Sequence, residues 1–259
     1  MLNDHQIASI QALEQLKRIC DNNHITMFLL AGTTLGAVRE SGMIKWDDDI
    51  DVGFLYHDWI ALKKILPYEI SSPFEYIDYD VEEGYPRFQP KILFERRNCI
   101  DLFLISKWSK KKLSGKLNWY LREWAIFCHE RKLDYKYPKH YSVSEKKSFK
   151  RRLFELVREI TYFVTKPFMT PQSYLNVGKW VERFYENHQY DCYINLYSIY
   201  GMKKEIMLKE WIETSSIVTF EGKQYDTVGD TNAYLHHLYG DYMTPPPIEK
   251  RIAAHQETF

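Results

Sequence analysis

Trp46-Asp47-Asp48-Asp49-Ile50-Asp51-Val52-Gly53 is the stretch whose reading decides this chain. Ile50, Val52 and Phe54 alternate with Asp51 and Gly53 at the period of a strand, and the alternation extends back to Ile44 and Trp46. On such a strand Asp47, Asp49 and Asp51 line one face while Asp48 and Ile50 turn away. Three carboxylates so spaced repel one another and raise each other's proton affinity unless a cation lies between them. A solvated acidic loop is the ordinary explanation of an aspartate run, but the apolar flanks speak against it. A calcium hand shares the spacing of Asp47, Asp49 and Asp51, yet its sixth position needs Gly and holds Val52, and its twelfth needs Glu and holds Asp58. Oxygen ligands with no His or Cys nearby point to Mg2+ or Mn2+.

Upstream, Gly32-Thr33-Thr34 falls between an expected strand at 27–30 and an expected helix at 35–40, where unpaired N–H groups and the positive helix end favour a phosphate. A phosphate cradle followed within about twenty residues by paired carboxylates suits metal-bridged phosphoryl transfer, in which one ion must reach both protein and donor. Asp101, in the apolar run 100–105 of a neighbouring strand, either completes the metal site or accepts the proton of an attacking hydroxyl.

Working outward, Ile7, Ile10, Leu13, Leu16 and Ile19 recur every third residue and predict an amphipathic helix over 4–23. Strands are expected at 50–54, 74–79, 87–95 and 100–105, with a helix at 58–66. Residues 110–188 read as helical, broken at Pro138, Pro167 and Pro171, and 153–164 is apolar on more than one side, so it is either a central helix or a membrane-facing one, with a core helix expected. A strand at 193–200, a hairpin across Glu221-Gly222-Lys223 and a short helix at 232–238 follow. The fold class is α/β, a mixed sheet with flanking helices and a mainly helical extension. Three parts are expected: a catalytic core over 1–106, a basic helical extension over 107–190, and C-terminal strands with a closing motif over 191–259.

The chain of 259 residues has no formal net charge, but the charge is segregated: 10 Lys/Arg against 17 Asp/Glu over 1–106, 15 against 4 over 107–152, and 10 against 14 over 153–259. The basic segment 107–152 suits an anionic partner: a membrane surface, an anionic cell-wall polymer or a lipid-linked diphosphate glycan. Nucleic acid is not expected, since the acidic remainder would oppose a long phosphate track. Tyr is abundant, at 20 residues, which suits contact with sugars, bases or a quaternary ammonium. Cys20, Cys99, Cys128 and Cys192 show no metal spacing and are expected to be buried free thiols. With neither a basic leader nor a long apolar run, the expected location is the cytoplasm, at the inner face of the membrane if the basic segment docks there.

The run Leu30-Ala31-Gly32-Thr33-Thr34-Leu35-Gly36-Ala37-Val38-Arg39, continued at 46–53, resembles the LicD family of bacterial phosphocholine transferases, related to the fukutin group of ribitol-phosphate transferases. Phe220-Glu221-Gly222 and Tyr239-Gly240-Asp241-Tyr242-Met243, with Pro245-Pro246-Pro247, Lys250-Arg251 and His255, look like its closing motif. The resemblance implies a nucleotidyltransferase fold in which Asp49 and Asp51 bind metal with Asp47 close by, Asp101 is the third acid, Gly32 and Thr33 hold donor phosphate with Thr34 beside them, and Lys91 neutralises phosphate charge. Arg39 pairs with a phosphate or with the aspartates. It implies transfer of phosphocholine from CDP-choline to a glycan of teichoic-acid or lipopolysaccharide type, lipid-linked by expectation. Trp46, Tyr239 and Tyr242 are then candidates for an aromatic wall around choline, with Asp241, Arg251 and His255 on the substrate side. Two alternatives keep their place: transfer of ribitol phosphate, glycerol phosphate or a nucleotide by the same fold, and a non-catalytic protein binding anionic polymer or membrane.

Overall fold

The computed structural model describes residues 2–133, 149–197 and 200–251. The chain opens with α1 (Asp4–Asn22), whose Asn3 and Gln6 cap each other reciprocally. Leu13, Leu16 and Ile19 of the expected stripe are buried, but Ile7 is exposed and Ile10 half-buried, and Gln6, Ala8, Ser9, Ala12 and Cys20 complete the inner face. β1 (Phe28–Leu29) leads directly into α2 (Ala31–Glu40), with the chain turning at Ala31, φ 41°. Gly32, Thr33 and Thr34 therefore form the first turn of the helix rather than a loop before it. Further along, a Cβ on Gly36 would lie 2.4 Å from the carbonyl oxygen of Gly42, so only glycine lets α2 approach the segment that carries the aspartates.

β2 (Ile50–Leu55), α3 (Tyr56–Glu69), β3 (Phe74–Ile77), β4 (Lys91–Phe94) and β5 (Arg97–Trp108) follow. Then come α4 (Leu113–Lys132), α5 (Phe149–Thr165) and α6 (Pro171–Phe184), the last started by Pro171 and capped by Thr170. Pro167 lies just past α5; Pro138 lies outside the described residues. β6 (Cys192–Asn195), α7 (Met202–Glu205), β7 (Ile206–Met207) and α8 (Lys209–Ile212) lead to the hairpin of β8 (Ser215–Phe220) and β9 (Lys223–Val228), and α9 (Thr231–Tyr239) closes the fold. The hairpin turns at Glu221-Gly222, both at positive φ, where the sequence places it.

Among the described residues the strands form one open mixed sheet in the order β3-β4-β5-β2-β1-β9-β8, with β6 on β5 and β7 on β6. β5 is central: it pairs in parallel with β2, and on its other side antiparallel with β4 along its first half and β6 along its last. Its near-continuous burial is what a strand covered on both faces requires. All four cysteines are buried and free, as expected.

The expectation that fails is the core helix at 153–164. In α5 the residues turned inward are Phe154, Arg158, Thr161 and Tyr162, whereas Leu153, Leu156, Val157, Ile160, Phe163 and Val164 are 48% to 64% exposed. The aliphatic stripe is helical as expected but not buried, because a face at helical spacing does not say what lies against it.

Candidate active site

Two parallel strands in register make the site. Asp51 of β2 lies opposite Asp101 of β5, so both carboxylates leave the sheet on one face, and Lys91 of β4 flanks Asp101 from the other side. Its buried ammonium donates to Asp101 Oδ1. Asn98 Nδ2 donates to the same oxygen at 2.8 Å and to Asp49 Oδ2 at 3.3 Å, which orients both acids.

β2 begins only at Ile50, so strand alternation does not govern residues 47–49. Asp48, expected to turn away, groups with Asp47 and Asp49, one oxygen of each within 4.8 Å of the others, while Asp49 groups with Asp51 and Asp101 within the same distance. Asp47 joins over Gly32: a Cβ there would meet Asp47 Oδ2 at 3.0 Å and Asp51 Oδ2 at 3.4 Å. The loop is held from below by Gln6, whose buried amide donates to the carbonyl oxygens of Ile44 at 3.3 Å and Asp47 at 2.8 Å.

The first turn of α2 faces this cluster. Gly32 N–H donates to Asp51 Oδ2 at 3.0 Å, and Ala31 N–H donates to the Tyr234 hydroxyl at 3.1 Å. The two threonine hydroxyls have structural partners: Thr33 Oγ1 accepts from the backbone N–H of Asp51 at 2.7 Å, and Thr34 Oγ1 lies 3.1 Å from Thr227 Oγ1 of β9, deep in the sheet. Of the expected phosphate cradle, Gly32 is the residue that meets the carboxylates.

Burial, more than any other cause, drives the proton affinity of these acids up. Asp47 is pushed up to about 7 by burial and the charge of Asp48, with smaller pressure from Asp101 and Glu40. Asp49 is held well above the carboxylate range by burial and then by Asp101, Asp51 and Asp47, against which Lys91 pulls. Asp51 is raised by burial, Asp101 and Asp47, with the Gly32 N–H and Lys91 pulling back. Asp47 and Asp51 remain half-buried, so the cluster is open on one side.

Around that opening the substrate-side residues divide. Arg39 and Arg251 stack over the Trp46 ring, 5.8 and 5.0 Å from its centroid. Arg39 does not pair with the aspartates: it donates to the Tyr242 carbonyl oxygen at 3.1 Å and to Glu40 at 3.0 Å. The Tyr239 ring is perpendicular to that of Tyr200 at 6.0 Å. Burial, with the charge of Asp51 among lesser causes, holds the hydroxyls of Tyr200, Tyr234 and Tyr239 above their usual range. The Tyr242 hydroxyl donates to Asn232 at 2.7 Å, and exposed Asp241 accepts from Thr244 at 2.8 Å, facing its own turn. His255 lies outside the described residues.

Gln6, Asn98, Tyr200 and Tyr234 do not stand out in the sequence as site residues. Asn98 carries a usable signal, a side chain poor in strand propensity at the head of a strand otherwise built to be buried. Gln6 reads as a cap and nothing more, since its reach to Ile44 and Asp47 is a long-range contact.

Residues 24–142 match the family model for LicD/FKTN/FKRP, nucleotidyltransferase domain. Over its full length the chain is 26% identical to the lipopolysaccharide cholinephosphotransferase LicD of Haemophilus influenzae, an alignment covering 97% of that protein. It is also 32% identical over 101 residues to an uncharacterised protein of Rickettsia prowazekii, 39% of this chain and 34% of that one. With an uncharacterised protein of Rickettsia typhi it shares 30% identity over 97 residues, 38% of this chain and 28% of the relative. Two of these three matches thus span about a third of the relative's length, and the Haemophilus one nearly all of it. The acids on paired strands, the helix start beside them and the closing segment that supplies Arg251 belong to the same alignable whole, and residues 24–142 of this chain are similar to the nucleotidyltransferase domain of the LicD family.

Proposed function

We propose that the chain is a phosphotransferase that moves phosphocholine from a CDP-choline-like donor to a hydroxyl of a cell-surface glycan, of lipopolysaccharide or teichoic-acid type. The observation that carries this reading is the convergence of Asp49, Asp51 and Asp101 within 4.8 Å beside the first turn of α2. The match of residues 24–142 to the LicD/FKTN/FKRP domain and the full-length similarity to a cholinephosphotransferase support phosphocholine as the group transferred.

The donor set fits a hard divalent cation: carboxylate oxygens alone, crowded enough to raise one another's proton affinity, open on one side. Asp49, Asp51 and Asp101 would hold Mg2+ or Mn2+, with Asp47 at its edge, and the ion would supply charge neutralisation at the donor phosphates. Within the chain itself, Asn98 and Lys91 fix the Asp101 carboxylate, and the start of α2 sets its positive end toward anionic oxygen. Arg39 and Arg251 give the Trp46 side a cationic edge for the diphosphate, which leaves the aromatic wall for a quaternary ammonium to Tyr200 and Tyr239. The acceptor oxygen forms a bond to the phosphorus bearing choline, the bond from that phosphorus to CMP breaks, and the hydroxyl proton passes to Asp101 or a carboxylate beside it.

CDP-choline with Mg2+ is expected to raise the melting temperature, by the equivalent of about 2.7 kcal/mol at a hundredfold excess over Kd, and more than CDP-ribitol or ATP does at equal concentration. An equal or larger shift with CDP-ribitol would hand the site to another head group, and no shift with any CDP-linked donor would remove the transferase reading.

Gly32→Ala provides a second check. Alanine suits a helix interior, so the fold is expected to hold, but its methyl displaces Asp47 and Asp51 by a few tenths of an ångström. Mn2+ affinity, followed by calorimetry, is expected to fall roughly tenfold, in line with the sensitivity of such sites to small misplacements. Unchanged affinity would mean that these two oxygens do not reach the ion.

A further inference from the structure

α5 is built inside out for a helix of a soluble domain. Toward α4 it turns aromatic and polar groups: the Phe154 ring lies 4.8 Å from that of Tyr120, the Arg158 guanidinium 3.9 Å from the Phe127 centroid, and Thr161 Oγ1 accepts from Trp124 Nε1 at 2.9 Å. The apolar residues Leu153, Leu156, Val157, Ile160, Phe163 and Val164 occupy the other side within about 120° of arc at 3.6 residues per turn. That stripe does not stop at the helix. Leu113 and Leu117 at the start of α4 are 70% and 58% exposed and lead through Tyr120 to Phe154, and Phe168 beyond the far end of α5 is 86% exposed. An exposed apolar face of this size marks an interaction site.

The charge around it selects the partner. Lys110, Lys111, Lys112 and Lys116 are exposed at the start of α4, Arg151 and Arg152 at the start of α5 and Lys166 at its end. The nearest acids, Glu155 and Glu159, face Arg151 and Arg131. The segment 134–148 between the two helices contains Lys136, Lys139, Lys146 and Lys147 against Asp134 and Glu145, so its composition adds positive charge. A symmetric contact with a second copy would set the lysines against one another. At 17 residues α5 is about 26 Å long, short of the hydrocarbon thickness, and no helix among the described residues is long and apolar enough to cross a membrane.

We propose that the aliphatic face of α5, with the adjoining end of α4 and a basic rim, lies flat on an anionic lipid surface. This moves the membrane contact expected of the basic segment 107–152 onto α5 and makes those lysines its margin. It stands independently of the transfer chemistry, since none of these residues belongs to the aspartate site.

The test is flotation of the full chain with vesicles of phosphatidylcholine, with and without phosphatidylglycerol, at low and high salt. Wild type is expected to float with the phosphatidylglycerol vesicles, less with phosphatidylcholine alone and less at high salt. Leu156→Glu/Ile160→Glu is expected to bind them at least roughly tenfold more weakly, with its melting temperature and its response to CDP-choline unchanged. Three results would overturn the proposal: no vesicle binding by wild type, equal binding by the variant, or a wild-type dimer that the variant converts to monomer, which would assign the face to a second copy. Vesicle binding seen only after replacing 134–148 by a Gly-Ser linker would overturn it too, by assigning the face to that segment.

Discussion

Asp51→Asn should lower turnover by at least roughly a thousandfold while leaving the metal-free protein as stable as wild type or more so. The two halves of that expectation come from one geometry. Asp51 accepts from the Gly32 N–H at 3.0 Å and lies in register with Asp101. An asparagine keeps the shape and an acceptor oxygen for Gly32, so the joint between β2 and α2 survives. What it removes is a charge that burial penalises and that Asp101 and Asp47 already oppose. Loss of that charge relieves the apo fold and ruins the cation site. CMP release under single-turnover conditions reads the first half, and melting in EDTA reads the second. Turnover that survived would remove Asp51 from the chemistry, and a wild type that released no CMP would return the chain to the non-catalytic reading, in which the aspartates are incidental to binding a polymer or membrane. A sharp drop in stability together with activity would make Asp51 a structural residue.

Much of this site is visible in the sequence because its parts are close along the chain. Gly32 and Asp51 are joined by one helix and one short crossing, and the apolar flanks of the aspartate run give the strand that puts Asp51 in the sheet. Asp101 is legible because a lone acid in the run Ile100-Asp101-Leu102-Phe103-Leu104 must meet a partner if it is buried. What period-two reasoning does not supply is the loop: with β2 starting at Ile50, the directions of Asp47 and Asp48 depend on Gln6, 38 or more residues away, and on the close approach of α2 at Gly36. By their place in the motif the threonine hydroxyls read as phosphate ligands, but their partners, Asp51 N–H and Thr227, come from strand pairings that no local pattern fixes. The same limit explains α5. Its apolar period is plain in the sequence and its orientation is not, since helical spacing reports a face and is silent on what covers it.

Metal-free wild type should lose stability as pH rises, and a divalent cation should reverse the trend. The sign follows from where the protons sit. Asp47 titrates near 3.8 when unfolded and is pushed up to about 7 in the fold, chiefly by burial and by Asp48, while Asp49 and Asp51 are also held well above the usual carboxylate range. Between those values the folded chain holds protons that the unfolded chain has released, so the unfolding free energy falls with pH across that window and is lowest above it. At about 1.4 kcal/mol for each tenfold change in proton affinity, and discounting for the half-exposed position of Asp47, that residue alone contributes on the order of 1–3 kcal/mol. Another carboxylate titrates in the same range, since burial raises Glu130 to about 8. The quantity to measure is therefore the difference in melting temperature between wild type and Asp47→Asn, taken in EDTA from pH 4 to pH 8. In that difference wild type should fall behind as pH rises. Mn2+ should close or invert the gap above about pH 7 and do little near pH 4, where protons hold the oxygens the ion needs. A gap that stayed flat in EDTA would show that Asp47 ionises without cost in the fold, and the crowding that makes these acids a cation site would lose its main support.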